Sequence, residues 1–150
     1  MAIAQGRVCF TAFVNSQVAK EQVVAAVRKH WPTALLREDV TATAVVARML
    51  LEPAAAHTVP LAIYGTSFQR AVWTAVQAIP YGKVVSYQAV AQQIGRPTAV
   101  RAVARAIGSN KLAVAIPCHR VVMKNGDLCG FRWGLPVKRA LLAREGVTIQ

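Results

Sequence analysis

The sequence predicts an α/β (α+β) fold: a small N-terminal α/β lobe with a reduced sheet, followed by a mostly helical C-terminal domain containing a helix-turn-helix and a hairpin. Three observations lead there. Apolar residues recur at helical spacing in several segments, but only Arg7 to Val14 makes one good β-like stretch. Two short helices with start and stop signals follow one another between Ser86 and Gly108. Asn125-Gly126, the strongest short hairpin signal, interrupts an apolar run. A chain of 150 residues suits one domain or two small lobes sharing a core, and Pro53 to Pro60 reads as a linker, so the expected division is 1–60 and 61–150.

Each element has its own signal. In the first lobe Val8, Phe10 and Val14 mark the strand Arg7 to Val14. Lys20 to His30 carries Val23, Val24 and Val27 at helical spacing, and Thr41 caps a helix running to Glu52. A second strand is expected near Leu61 to Tyr64. Thr66 then caps a helix with Phe68, Val72, Val76 and Ile79 on one stripe and Trp73 beside it, stopped by Pro80-Tyr81-Gly82. Ser86 caps a short helix through Ile94 that Gly95 ends. Pro97 opens the next helix, which runs to Ile107 and stops at Gly108. The pair, joined by a three-residue turn containing glycine, reads as a helix-turn-helix. Leu112 to Ile116 suits a buried strand. A two-residue loop at Asn125-Gly126 places Lys124 opposite Asp127, Val122 opposite Cys129 and Arg120 opposite Phe131. Pro136 opens a final helix with Val137, Leu141 and Leu142 inward, ended by Gly146.

Composition narrows the function. The chain is 55% hydrophobic and 16% charged, which excludes a disordered chain, and Pro, Arg or Lys breaks every apolar run well short of the roughly 18 residues a membrane span needs. Met1 to Phe10 lacks the basic and apolar regions of a secretory signal, so a cytoplasmic location is expected, with no membrane partner. The net charge is +12 and unevenly placed: residues 1–65 hold six basic and four acidic side chains, residues 66–150 twelve and two. No acid occurs from Pro53 through Gly126. Such a field favours a polyanion, and nucleic acid is the commonest one in a cytoplasm; the plainer alternative is charge that serves solubility. Arg101 and Arg105, four residues apart on the second helix of the pair, share one face and favour DNA. Cys9, Cys118 and Cys129 show neither a C-x-x-C pair nor zinc-ligand spacing, so neither a disulfide framework nor a metal is expected.

Pro117-Cys118-His119-Arg120 is the place to look for a nucleophile, because a thiol beside an imidazole and an arginine has a base and positive charge at hand. A free thiol of pKa near 8.5 is only about 3% ionised at pH 7, and nucleophilicity falls as the pKa falls, so positioning has to supply much of any rate. The other reading is a buried structural cysteine next to a surface histidine. The hairpin brings Cys129 to Phe131 back toward Cys118. Glu145 falls in the last helical turn, where the dipole disfavours an acid; a fixed imidazole partner would account for it, as would a solvated surface position.

Gly65-Thr66, Phe68-Gln69, Val72-Trp73, Ile79-Pro80, Gly82, Ser86-Tyr87, Ile94-Gly95, Pro97, Arg101-Ala102-Val103, Asn110 and above all Ile116-Pro117-Cys118-His119-Arg120-Val121 resemble the O6-alkylguanine-DNA alkyltransferases, the methylated-DNA–protein-cysteine methyltransferases. Gly130-Phe131-Arg132-Trp133-Gly134 looks most like their bacterial adaptive-response branch. The resemblance covers about residues 61 to 146. It implies DNA repair by direct reversal: a single-turnover transfer of the alkyl group from O6-alkylguanine, with O4-alkylthymine as a further substrate, in a flipped-out base to Cys118. His119, through a water, and Glu145 would activate the thiol, and Tyr87 would donate a proton or hydrogen bond to the purine. Arg101 would fill the gap left by the flipped nucleotide. Arg105, Ser86, Thr98 and Ala102 would complete the DNA face, Asn110 would serve as hinge, and Cys129 and Phe131 would border the pocket on the active-site hairpin. The resemblance implies no cofactor and alkylated double-stranded DNA as partner of a monomer. The family usually opens with an antiparallel sheet, so the first lobe here reads as trimmed or rearranged.

Two other classes compete. A helix-turn-helix sensor would bind alkylated DNA without transferring anything, against which stands the retention of Cys118, His119, Tyr87 and Glu145. A cysteine hydrolase would use the thiol and imidazole but would leave the charge field without a purpose.

Overall fold

A computed structural model describes residues 1–14, 16–53 and 55–148, with the His57 side chain also outside the described part. Strands β1 (Ala2–Ala4) and β2 (Arg7–Phe10) form an antiparallel hairpin turned by Gln5 and Gly6, both at positive φ (50° and 71°), as a two-residue loop requires. β1 was not expected: Ala2-Ile3-Ala4 is weakly β-forming, and its turn lacks Asn or Asp. β2 is buried on both faces, with Val8, Cys9 and Phe10 all in the interior. Its regular part ends at Phe10 rather than Val14, and Thr11 adds a single parallel bridge to Leu112. Leu61 to Tyr64 is not a strand. Leu61 makes one parallel bridge to Val8, with Val8 N–H donating to Pro60 O at 2.9 Å and Ala62 N–H to Val8 O at 2.9 Å.

Helices α1 (Gln17–His30) and α2 (Val40–Leu51) complete the first part. Ser16 caps α1 by accepting from Ala19 N–H, so the helix starts at Gln17, three residues before the expected Lys20. The cap of α2 is Asp39, which accepts from Ala42 N–H; Thr41 lies inside the helix, because an ionised carboxylate is the better N-terminal acceptor.

Helix α3 (Ser67–Gln77) starts in a reciprocal capping box between Thr66 and Gln69. It buries Val72, Trp73, Ala75 and Val76, so Trp73 belongs to the core itself and donates from Nε1 to Ala106 O at 2.8 Å. Gly65 is required next to it: a Cβ there would come within 2.5 Å of the indole ring. Strand β3 (Val85–Ser86) leads to α4 (Tyr87–Gln93), capped by Ser86 and ended near Gly95 at φ +68°. Helix α5 (Val100–Gly108) begins three residues later than Pro97 suggests, since Ala99 N–H donates to Arg96 O and closes a turn first. The helix-turn-helix therefore has residues 94–99 as its connection. Val103, Ala106 and Ile107 face inward, and Arg101 and Arg105 face solvent.

Leu112 to Ile116 does not form a strand. Ala115 N–H donates to Ala113 O at 2.8 Å across Val114 at φ +67°, a tight γ-turn that is rare for a β-branched residue. Past the short 3₁₀ turn Cys118–Arg120, strand β4 (Val121–Val122) pairs in parallel with β3, matching Val85 with Val121 and Ser86 with Val122. The expected hairpin register is off by one. Met123 N–H donates to Asp127 O and Gly126 N–H to Met123 O, so the loop is Lys124–Gly126, with Gly126 at φ +90°, and Met123 rather than Lys124 faces Asp127. The Asn125 side chain bonds Asp127 instead of leaving the pair to a two-residue turn, and the return has no strand ladder. Helix α6 (Leu135–Arg144) buries Lys138, Leu141 and Leu142; Val137 is only half-buried, correcting its expected inward position.

One core joins the two parts: Val8, Leu50 and Val59 cluster with Val72, Trp73, Val76, Val90, Val103, Ile107, Ile116, Cys118 and Val121. Among the described residues no helix is long and apolar enough to cross a membrane.

Candidate active site

The chain presents Cys118 through two tight turns. After the Val114 turn, Pro117 (φ −78°, ψ 59°) sits at the centre of an inverse γ-turn in which Cys118 N–H donates to Ile116 O at 2.7 Å. Cys118 then opens the 3₁₀ turn with only 4% of its surface exposed. Asn110, buried just past α5, ties that helix to the loop. Its Nδ2 donates to Leu112 O (3.2 Å), Ile116 O (3.1 Å) and Cys118 Sγ (3.3 Å), while Oδ1 accepts from Leu112 N–H (2.8 Å). Burial pushes the Cys118 thiol up. The Asn110 hydrogen bond, the Lys138 charge and nearby backbone N–H groups pull against it without winning.

The acid at the end of α6 has the fixed partner its position demanded. Glu145 Oε1 accepts from His119 Nε2 (2.7 Å) and Arg120 Nη2 (3.0 Å); Oε2 accepts from Arg120 Nε (2.9 Å) and Gly82 N–H (3.1 Å). Burial would raise this carboxyl, but the bonds from His119, Arg120 and Gly82 together outweigh it and hold the group down at about 2. An ionised Glu145 makes His119 Nε2 the donor, so the neutral imidazole carries its lone pair on Nδ1, which is buried and has no hydrogen-bond partner among the described residues. Arg120 is itself held by Ile79 O (2.6 Å) and stacks over Tyr81.

Pairing of β3 with β4 brings Tyr87, the first residue of α4, alongside the segment after Cys118. Its hydroxyl lies 3.1 Å from Cys129 Sγ, and burial, reinforced by the two neighbouring sulfurs, raises its pKa so that the proton stays on. The expected return of Cys129 was toward Cys118; the contact it makes is with Tyr87. Phe131 packs edge-on against Trp133 and lies under the Lys138 ammonium, 6.0 Å from the ring centroid.

Reasoning from sequence missed Lys138 and the second role of Arg120. Lys138 is fully buried and donates to Val121 O at 2.6 Å. Its signal was available: Lys138, Leu141 and Leu142 stand at i, i+3 and i+4, so a lysine occupies the apolar stripe.

Thr98, in the connection before α5, and Arg101, Ala102 and Arg105 on that helix line an open groove of about 590 Å³. Ser86 is not part of that wall; its hydroxyl caps α4. A separate cleft of about 540 Å³ lies against His119, Arg120 and Glu145, between Leu50–Leu61 and the α3–α4 loop; Cys118, Tyr87 and Cys129 do not line it. Among the described residues no group of three or more His, Cys, Asp or Glu side chains is placed to hold a metal ion.

Comparison with known proteins adds an independent line. Residues 67–147 match the family model described as 6-O-methylguanine DNA methyltransferase, DNA binding domain. The regulatory protein ada of Salmonella typhimurium is 62% identical over 86 residues, 57% of this chain and 24% of that protein. The inducible methylated-DNA–protein-cysteine methyltransferase of Bacillus subtilis is 44% identical over 138 residues, 89% of this chain and 77% of that protein. The chain spans about a quarter of the length of the first curated relatives it matches. Among solved structures, Mycobacterium tuberculosis OGT in complex with DNA is 49% identical, with TM-score 0.57 over 58% of this chain and 54% of that one. The O6-methylguanine-DNA methyltransferase of Pyrococcus kodakaraensis, 24% identical, has the same fold, with TM-score 0.80 over 96% of this chain and 89% of that one. The Bacillus alignment reaches into the first lobe as well as the Cys118 loop, and with the matched domain model it establishes that the chain belongs to the methylated-DNA–protein-cysteine methyltransferase family.

Proposed function

We propose that this protein repairs alkylated DNA by direct reversal, taking the methyl group of O6-methylguanine onto Cys118 in a single, irreversible turnover. The observation that carries the reading is a buried thiol in a loop tied by Asn110, next to an imidazole whose Nε2 is pinned by an ionised carboxylate and whose Nδ1 is left as the base.

The proton balance follows from those groups. The Cys118 S–H proton passes through a water to His119 Nδ1, and the thiolate attacks the alkyl carbon. As the S–C bond forms, the C–O bond to the base breaks. Tyr87, whose proton is firmly held, donates a hydrogen bond to the purine as negative charge develops on it, and the departing guanine takes its proton from water. The raised thiol pKa suits this order: the sulfur is stored protonated and becomes nucleophilic only when His119 accepts its proton, which limits reaction with stray electrophiles. A thioether is a very poor leaving group, so each molecule acts once.

The reacting carbon lies inside the base stack, so the nucleotide has to be flipped out at a cost of a few kcal/mol. Arg101 takes its place in the duplex, while Arg105 and the Thr98–Ala102 wall meet phosphates and groove. Asn110 is the hinge between that helix and Cys118, and Lys138 adds positive charge beside the thiolate as it forms. Cys129 narrows the pocket at Tyr87. We assign the reactive part to 61–150, with 1–60 as a supporting lobe, acting as a monomer on DNA in the cytoplasm; O4-alkylthymine is a further substrate. The deciding experiment is intact-mass measurement after incubation with a methylated duplex: one added methyl on Cys118 is expected, whereas tight binding with unchanged mass would mean a sensor rather than a repair protein.

A further inference from the structure

We infer that Thr11, at the end of β2 in the first lobe, is a positioning residue for Cys118, acting through one buried hydroxyl that holds the strained turn at Val114. The inference rests on Cys118 being the reacting group.

Thr11 is a buried polar residue, 5% exposed, 102 positions away in sequence from the group it bonds. Its Oγ1 donates to Ala113 O at 2.8 Å, its N–H donates to Lys111 O at 2.8 Å, and it bridges Leu112. Ala113 O is also the acceptor that closes the γ-turn, from Ala115 N–H at 2.8 Å. Both lone pairs of one carbonyl are therefore engaged, one by the turn and one by the first lobe. A valine at φ +67° is held there only while its surroundings over-determine it. Removing the hydroxyl removes one of those constraints and lets Val114 relax toward negative φ.

The next links are short. Two residues beyond Val114, Ile116 O receives both Cys118 N–H (2.7 Å) and Asn110 Nδ2 (3.1 Å). The same Nδ2 contacts Cys118 Sγ at 3.3 Å. A turn that relaxes carries Ile116 O with it and loosens the Asn110 grip on the sulfur. Thr11 touches neither the thiol nor the α5 groove, so its effect belongs in the chemical step and not in DNA affinity.

The test compares Thr11→Val, which keeps shape and loses the hydroxyl, with Thr11→Ser, which keeps the hydroxyl. At saturating methylated duplex, Thr11→Val is expected to transfer methyl about tenfold more slowly, the scale of one lost buried hydrogen bond, with the duplex Kd within about twofold of wild type. Thr11→Ser is expected to stay within about twofold of wild type in both measurements. Amide hydrogen exchange provides a readout that does not need transfer: Ala115 and Cys118 amides are expected to exchange faster in Thr11→Val, while those of α3 and α6 are unchanged. A wild-type rate in Thr11→Val, equal losses in both variants, or a loss shared with DNA binding or with exchange across the whole chain would each overturn the inference. If the wild-type protein transferred no methyl, the proposed function would fail by itself, and unchanged exchange at Ala115 and Cys118 in Thr11→Val would still reject Thr11 as the clamp.

Discussion

Helix α3 and helix α2 have similar lengths, and α2 is the more apolar of the two, yet it is α3 that is the better buried. α3 buries four residues, makes a capping box, and anchors Trp73 to α5. α2 buries only Leu50 and leaves Val40 and Val45 largely exposed, and the connection before it leaves Leu35 wholly exposed. The same contrast runs through the two parts of the chain. Residues beyond 61 build their own interior and hold the titratable groups of the site; the first part enters the shared core mainly through Val8, Leu50 and Val59. Chemistry and stability therefore concentrate on one side, and the first lobe matters where it touches the Cys118 loop.

The sharpest way to break this contrast is Cys118→Ser. It is expected to abolish methyl transfer while leaving binding to methylated duplex largely intact, because a hydroxyl is a far weaker nucleophile of nearly the same volume. Intact mass checks it: stoichiometric methylation of Cys9 or Cys129 in that variant would reject the assignment. Next in size, Trp73→Ala should cost about 3–5 kcal/mol by denaturant unfolding, since it empties a packed core position and removes the indole bond to Ala106 O. Val45→Ala, at a site 58% exposed, should stay within about 0.5 kcal/mol. Similar losses for the two would mean the first lobe is packed as firmly as the second.

The pH dependence of stability falls on the same side. Glu145 is held at about 2 in the folded chain against an ordinary 4.5, so its contribution is fully present above about pH 4.5 and is lost as pH falls toward 2. Roughly 3 kcal/mol should disappear over that window. Glu145→Gln should flatten it, and an unflattened acid limb in that variant would place the titrating group elsewhere. A smaller effect is expected for Arg101→Ala, about tenfold slower repair in duplex DNA with little change for the free base, because only the duplex needs its gap filled. Arg28→Ala on α1 should do neither; equal losses on duplex and free base would make Arg101 a support of the fold. Smallest of all, Cys129→Gly should raise the benzyl-to-methyl rate ratio severalfold by opening the space beside Tyr87. An unchanged ratio would remove Cys129 from the pocket.

Much of this was legible where local chemistry decides. Thr66 with Gln69, Ser86 and Gly95 mark their helix ends through contacts within a few residues, and the Cys118-His119 pair with Glu145 could be read from the motif and from an acid misplaced on a helix dipole. What could not be read depends on distant partners. Leu112 to Ile116 has the composition of a strand, but its backbone groups are taken by the Asn110 side chain and by Thr11, far away in sequence. The hairpin register turned on whether Asn125 would bond its neighbour or turn with it. Lys138 was missed because the partners that receive its charge on an apolar stripe, Val121 O and the Phe131 ring, come from other segments of the chain.

The Glu145 carboxylate has about four places to accept a hydrogen bond, and His119, two nitrogens of Arg120 and Gly82 N–H fill four. Held at about 2, it stays ionised and takes no proton over from His119. Under the proposed chemistry the carboxylate never carries the proton: it fixes the imidazole and stabilises the imidazolium, and the proton taken up at Nδ1 leaves by the side it entered. What makes the reaction a single event is then the thioether alone, not the histidine behind it.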